Sequence, residues 1–316
     1  MSIQIIPIEL GNINTIEGPF SLCLGFFDGV HKGHQELVFQ AKKAQEPVAV
    51  LTFDQSPTKL TNKSKGEGIL TTVSERAQLF EDYGASYLFV IPFDQALMNL
   101  TPDQFITEVL NELNPKIIVC GYDYRFGKMA AGKAHDLKTS PLAKFATIIV
   151  EKIEDQAAHK VSTSKIKEEL RAGEIDEVTE NLNRYYTISG VVEKGYQNGK
   201  KIGFPTANIR LNAAYVLPKK GVYLTYIKVG GVVYLSMTNV GTHPTINEVP
   251  FPIVEVHIFD FDEDIYDQEV TVYFAHFIRE EEKFVSLTQL IEKMKEDEII
   301  CRQLKAAYPF RSSVSI

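Results

Sequence analysis

Short, nearly unbroken apolar runs punctuate the first half of the chain, at residues 22–26, 47–53, 87–92, 117–120 and 147–150. Between them lie stretches with helical spacing of apolar positions, near 33–45, 73–83, 102–113 and 138–145. Continuous apolar strands alternating with helices predict an α/β unit whose parallel sheet is covered on both faces. A polar helical stretch, STSKIKEELRAGEIDEVTENLNRYY, leads out of this region. Past Tyr186 the pattern changes to short runs rich in Val, Ile, Tyr and Phe, separated by Gly, Pro and Asn. These are TISGVVEKG, GVYLTYIKV, VVYLSMTNVG, FPIVEVHIFDF and QEVTVYFAHFI, and they predict an antiparallel β-barrel. A last amphipathic helix, from about 286 to 306, would set Leu287, Leu290, Ile291 and Met294 on one face. Two domains are expected, 1–184 and 185–316.

The first apolar run feeds the stretch SLCLGFFDGVHKGH, residues 21–34, and then a helical pattern. A strand, a glycine-bearing turn and two imidazoles at a helix start suit phosphate chemistry, because helix N-termini attract anions. His31 and His34 therefore head the candidate residues, on a stretch that turns through Gly25 and Asp28-Gly29. A zinc reading is weak, since no third ligand has recognisable spacing and HExxH is absent. Further on, Gly127 to Lys133 spells GxxxxGK, but Ala134 stands where a P-loop needs Ser or Thr for magnesium. Residues 260–264, DFDED, imitate an EF-hand start, yet Ile265 and Thr271 occupy the positions that need Gly and Glu.

Composition narrows the class of ligand. Among the 316 residues, 44% are hydrophobic and 23% charged, ordinary values for a soluble globular chain. The net charge of −8 argues against nucleic acid as a partner, while leaving small phosphate-bearing substrates open. Cys23, Cys120 and Cys301 form no CxxC pair and fit a reducing cytoplasm. No secretory signal and no membrane span are expected, and oligomeric state is not legible.

GFFDGVHKGH is similar to the signature of the HxGH nucleotidyltransferases, and its GxFDGVHxGH form resembles that of prokaryotic FAD synthetases. The resemblance implies a Rossmann-like domain in which His31 and His34 bind ATP phosphates while a nucleophile attacks the α-phosphorus, with Gly25, Phe26, Asp28 and Gly33 as ATP- and phosphate-binding residues of the turn. GYDYRFG, 121–127, resembles the family's G-x-D/N-F-x-F-G loop beside nucleotide and flavin, which points to Asp123, Arg125, Phe126 and Gly127. VSTSKIKEEL resembles ISSTxIR and implies phosphate contacts from Thr163, Ser164 and Lys167. Three departures stand out: the S-T-S order, Lys167 in place of Arg, and TFDQSP, with Gln55 and Ser56, in place of TFxPHP. They motivate a second reading in which the transferase half is weakened or redirected.

In the second half, GKKIGFPTANI is similar to the PTAN motif of riboflavin kinases. It implies magnesium held by Thr206 and Asn208 and ATP beside Gly203 and Pro205. GVY, TNVGTHPTIN, VEVHIFDF, DIYDQEVTV and FIREEEKF follow in the family's order, which implies Glu255 as general base and Arg279 and Phe284 near the flavin. Taken together the resemblance implies a bifunctional enzyme that phosphorylates riboflavin to FMN with ATP and Mg2+, then adenylylates FMN to FAD. A regulator that binds flavin or nucleotide without turnover is the rival from another class.

Overall fold

A computed structural model describes residues 2–57, 68–155, 158–194, 203–242 and 252–310. Residues 199–202 of GKKIGFPTANI and 243–247 of TNVGTHPTIN lie outside the described residues. The chain divides into two compact units, Met1–Thr163 and Ser164–Ile316.

In the first unit β1 (Gln4–Pro7), β2 (Ser21–Leu24), β3 (Val48–Phe53), β4 (Tyr87–Ile91), β5 (Ile117–Gly121) and β8 (Ala146–Val150) form one parallel sheet. Its order is β1-β4-β3-β2-β5-β8. The chain runs outward through β2, β3 and β4, then returns to lay β5 against the other side of β2. That reversal makes a crevice at the carboxyl ends of β2 and β5, where open α/β sheets bind ligands. Leu22, Leu24, Leu51, Phe89, Ile118 and Phe105 are buried in its main apolar cluster.

The helices follow local chemistry. Lys32–Lys42 buries Leu37, Val38 and Ala41. Val73–Asp82 starts at a Thr72–Glu75 capping box. Thr101, Pro102 and Gln104 begin the helical run 102–113, whose middle, Ile106–Leu110, is π-helical. The helix expected at 138–145 lies instead at Ala134–Thr139, because the Asp136 carboxylate accepts from Lys133 N at 2.8 Å and starts it early. β1, the short helix Gln95–Asn99, and the hairpin β6 (Arg125–Phe126) and β7 (Gly132–Lys133) had no counterpart in the apolar pattern.

The single polar helical stretch expected after residue 160 is two helices, Thr163–Ala172 and Ile175–Leu182, broken at Gly173, whose φ is +84°. Beyond them β9 (Tyr186–Glu193), β10 (Ala207–Leu211), β11 (Gly221–Val229), β12 (Val232–Thr242), β13 (Pro252–Ile258) and β14 (Glu269–Arg279) close an antiparallel barrel. Inside it Thr225 Oγ1 lies 2.8 Å from Ser236 Oγ and 2.7 Å from Thr238 Oγ1, so the buried hydroxyls satisfy one another. Outside it the terminal helix Leu287–Leu304 brings Cys301 onto Leu224, Tyr226 and Met237. Ile291, Met294 and Leu304 support that contact, but Leu287, expected on the same face, is 58% exposed in the first turn. The Tyr226 and Tyr185 hydroxyls donate to Tyr308 O and Pro309 O and pin the chain beyond that helix.

Candidate active sites

The turn after β2 is a strained loop held from several sides. Phe27 and Val30 have φ of 60° and 42°, in a region that non-glycine residues rarely occupy. The Phe27 ring is buried edge-on against His34 and Phe80, at 5.0 and 5.1 Å between centroids. Asp28 Oδ1 accepts from Leu70 N at 2.8 Å and Thr71 N at 3.0 Å, and Gly29 N donates to Thr71 Oγ1 at 2.9 Å. Thr163 Oγ1 donates to Asp28 O at 3.0 Å. Asp28 is thus spent on bracing the loop.

His31 occupies the capping position of Lys32–Lys42, and its carbonyl accepts from His34 N at 2.7 Å and Gln35 N at 3.0 Å. The two imidazoles stack with centroids 3.6 Å apart and planes 20° apart. A Cβ on residue 33 would lie 3.2 Å from the His31 ring, so glycine makes room for the stack. Similarly, a Cβ at Gly25 would meet the Phe27 ring at 3.0 Å. Burial, then the neighbouring His31, Arg76 and Lys160, hold the His34 pKa well below 6.5. His34 is therefore neutral at pH 7 and able to donate one hydrogen bond.

Arg76, which sequence reasoning missed, is 2% exposed beneath this turn. Its guanidinium donates to Phe26 O at 2.7 Å, Thr52 Oγ1 at 2.5 Å and Phe53 O at 3.2 Å. It also lies 4.9 Å over the half-buried Phe26 ring. Burial lowers its pKa to about 10, against the raising effect of Asp28. One buried cation thus ties the exits of β2 and β3 together. In TFDQSP, Gln55 Nε2 donates to Phe93 O at 3.0 Å and Asp54 Oδ1 accepts from Phe93 N at 2.8 Å.

At the carboxyl end of β5, Asp123 is exposed and ion-paired with Lys160, another residue that no motif had flagged. Arg125 is exposed, whereas Phe126 is buried between Tyr124 and Phe105 at 5.9 and 5.5 Å. Gly127 has φ +71°, and a Cβ there would meet Pro102 N at 2.8 Å, so the turn admits only glycine. Ser164, exposed, and Lys167, half-buried, follow Thr163 on its helix.

In the barrel the site is built by register. Glu255 is paired with Asn208 of β10 on one side and Asn239 of β12 on the other. Paired residues of neighbouring strands project to the same face, so a carboxylate stands between two amides. Asn239 pairs in turn with Val222, and Val222 with Arg279. Three strand spacings separate the Glu255 and Arg279 backbones, about 14 Å along the sheet. Gly221 closes this end with φ +152°, where a Cβ would meet Arg279 O at 2.3 Å.

Thr206 and Pro205 precede β10 and line a cavity of about 290 Å³ with Val256, Ile258, Asp262 and Tyr266. His257 Nδ1 lies 2.8 Å from Pro205 O, and the buried Phe204 ring packs 5.1 Å from that imidazole. His257, two residues from Glu255 and on the same face, thereby fixes the Pro-Thr segment. Gly203 turns into that segment with φ +83°. Arg279 is held by an ion pair: its Nε and Nη2 meet the buried Asp297 carboxylate at 3.0 and 2.7 Å, with the Phe284 ring 5.9 Å away. Among the described residues, no group of three or more His, Cys, Asp and Glu is arranged to hold a metal ion.

A family model described as FAD synthetase matches residues 14–165, and one described as riboflavin kinase matches residues 182–305. Over 282 residues the chain is 36% identical to a bifunctional riboflavin kinase/FMN adenylyltransferase of Listeria monocytogenes, covering 88% of this chain and 90% of that protein. It is 30% identical over 288 residues to the protein of that name from Escherichia coli K12, covering 89% and 91%. A crystal structure described as a macrolide-efflux protein from Streptococcus pneumoniae is 33% identical, with a TM-score of 0.88, 95% of this chain and 99% of that one. Among the described residues, no helix is long and apolar enough to cross a membrane.

Proposed function

Since the chain belongs to the family of bifunctional riboflavin kinase/FMN adenylyltransferases, we propose that its two activities are divided between the barrel, which makes FMN, and the parallel-sheet unit, which makes FAD. The observation that carries this reading is the pairing of Glu255 with Asn208 in one unit and the stacked His31–His34 pair in the other.

In the kinase step Glu255 takes the proton from the terminal ribityl hydroxyl of riboflavin as its oxygen attacks the γ-phosphorus of ATP. The bond to the β-phosphate oxygen breaks, and ADP leaves with that electron pair. Gly203 and Pro205 border the nucleotide, and Arg279 with Phe284 borders the flavin. Thr206 and Asn208 offer half-buried oxygens beside the phosphates, a hard donor set that fits Mg2+, which keeps waters and shares substrate oxygens. When bound, the ion neutralises phosphate charge.

In the transferase step a phosphate oxygen of FMN attacks the α-phosphorus of a second ATP, and pyrophosphate leaves with the electrons of the α–β bridge. His31 and the neutral His34 donate hydrogen bonds to the phosphates from the strained turn, with Gly25, Phe26 and Gly33 giving access and Asp28 bracing it. The dipole of the helix Lys32–Lys42, whose N-terminus lies at this turn, favours the same anion. Thr163, Ser164 and Lys167 supply further phosphate contacts. Asp123, Arg125, Phe126 and Gly127 form the flavin border. We place the catalytic division at 184/185, which the riboflavin kinase match beginning at residue 182 supports, although compactness alone divides the chain after Thr163. Three free, buried cysteines support a cytoplasmic location.

The test is to incubate the protein with riboflavin, ATP and Mg2+ and to separate the flavins by chromatography. FMN should appear first and FAD after it. FMN alone would leave the transferase half without its activity, and neither product would overturn the reading.

A further inference from the structure

Tyr124 stands where the family's G-x-D/N-F-x-F-G loop has a phenylalanine, so this chain adds a hydroxyl just past the carboxyl end of β5. The residue is fixed from several sides. Its N–H donates to Gly121 O at 3.0 Å, and its carbonyl accepts from Ala134 N at 3.1 Å. The ring stacks on Phe126 with planes 18° apart. Phe126 is itself wedged between Phe105 and Gly132, where a Cβ would meet the Phe126 ring at 2.8 Å. On its inner side Tyr124 packs against the apolar cluster that holds Leu24, Leu51 and Cys120.

The fold itself has no use for the hydroxyl. Among the described residues no group makes a hydrogen bond with Tyr124 Oη. The oxygen is not sealed in either, since the half-buried ring keeps that edge open. Burial, then the neighbouring Cys120, raises the pKa, so the group stays protonated through the neutral range and can donate. Covering this edge without supplying an acceptor is unfavourable, so a ligand that seats here must bring one.

The surroundings select the occupant. Phe53 ends β3 and Phe93 follows β4, and their half-buried rings meet edge to face at 5.0 Å against the same cluster. Rings at the carboxyl ends of three strands thus give the crevice an apolar rim with one donor, at Tyr124. That combination suits a flat ring system, apolar over its faces and carrying carbonyl oxygens along one edge. The isoalloxazine of FMN has this form, whereas adenine has no carbonyl. We propose that the Tyr124 hydroxyl donates a hydrogen bond to the polar edge of the flavin ring in the adenylyl-transfer site and so helps to select FMN. The inference rests on the assignment of adenylyl transfer, with its flavin border, to this unit.

The experiment compares wild type and Tyr124→Phe for FAD formation from supplied FMN, with FMN and ATP varied separately, and follows the thermal unfolding of both. Tyr124→Phe should raise the KM for FMN about five-fold, the equivalent of one hydrogen bond between neutral groups, with the KM for ATP within about two-fold. FMN formation from riboflavin should be unchanged. The variant should also melt no earlier than wild type, because the fold loses no hydrogen bond with the hydroxyl. A tyrosine that served only the fold would behave in the opposite way, melting earlier with its kinetics unaltered. A rise in the KM for ATP that equals or exceeds the rise for FMN would overturn the assignment to the flavin. An unchanged KM for FMN, whatever the melting temperature, would overturn the inference altogether. If wild type converts no FMN to FAD, the assignment of the reaction falls and the inference falls with it.

Discussion

The two halves reach their chemistry by different physical routes. In the parallel-sheet unit the proposed histidine site sits on a turn whose backbone is strained at Phe27 and Val30 and must be held there. The Asp28 carboxylate, the Thr71 hydroxyl, Thr163 and the buried Arg76 do the holding, from segments far apart in the chain. In the barrel the backbone ladder itself sets Glu255 between Asn208 and Asn239, and only the Pro-Thr segment needs a side-chain brace, from His257. A site built on regular strands inherits its geometry from register, whereas a site built on a loop depends on a set of individual hydrogen bonds. The loop site should therefore be the more fragile, and its chemistry the more sensitive to substitutions that touch no substrate.

The sharpest test of the division is Glu255→Gln. FMN formation should fall by roughly a thousand-fold, the range for losing a general base, while FAD formation from supplied FMN stays at wild-type level. Chromatography of the flavins measures both steps at once. Next in size, His31→Ala should lower FAD formation about a hundred-fold and leave FMN formation intact, as expected for one lost phosphate-stabilising donor. If either variant lost both activities with its fold preserved, the two-site comparison would break.

Arg76→Met tests fragility directly. Removing the guanidinium leaves Thr52 Oγ1 and Phe53 O without their buried donor and Phe26 O with the Thr52 hydroxyl, which should cost about 3 kcal/mol in the first unit. Urea unfolding should show an earlier transition, and FAD formation should decline while the kinase step persists. An unshifted transition would mean that the turn is held without Arg76.

The smallest effect is on pH. His34 has its pKa depressed below 6.5 in the folded chain, so below that pH the unfolded chain takes up a proton that the native one does not. Stability of the first unit should thus fall with acidification, by at most ~1.4 kcal/mol per pH unit, from about 6.5 down to the folded pKa. His34→Gln should flatten this part of the profile, as followed by thermal melts at stepped pH.

Much of the architecture was legible because burial on both faces writes itself as continuous apolar runs. β3, β4 and β5 lie within a residue of their expected bounds. β1 was missed because its residues are mostly exposed and carry no such run. β10 was missed for another reason: Pro-Thr-Ala-Asn has the composition of a turn, yet Asn208 is a strand residue locked between Glu193 and Glu255. Of the candidate sites, the histidine turn and the Glu255 segment could be read from their motifs, since a turn and a strand are local objects. Arg76 and Lys160 could not, because a helical arginine and a loop lysine are ordinarily solvated surface charges.

By itself, then, the sequence determined two domains, their order, the strands that build them and the residue types available for phosphate and flavin chemistry. Local patterning suffices for these, because apolar periodicity and turn residues act over a few positions. Tertiary structure alone decided which residues meet: the stacking of His31 on His34, the row that joins Asn208, Glu255 and Asn239, the inward turn of Arg76 and the outward pairing of Lys160 with Asp123. Each is a contact set by strand order or register, and those follow from how the whole chain buries its apolar faces together.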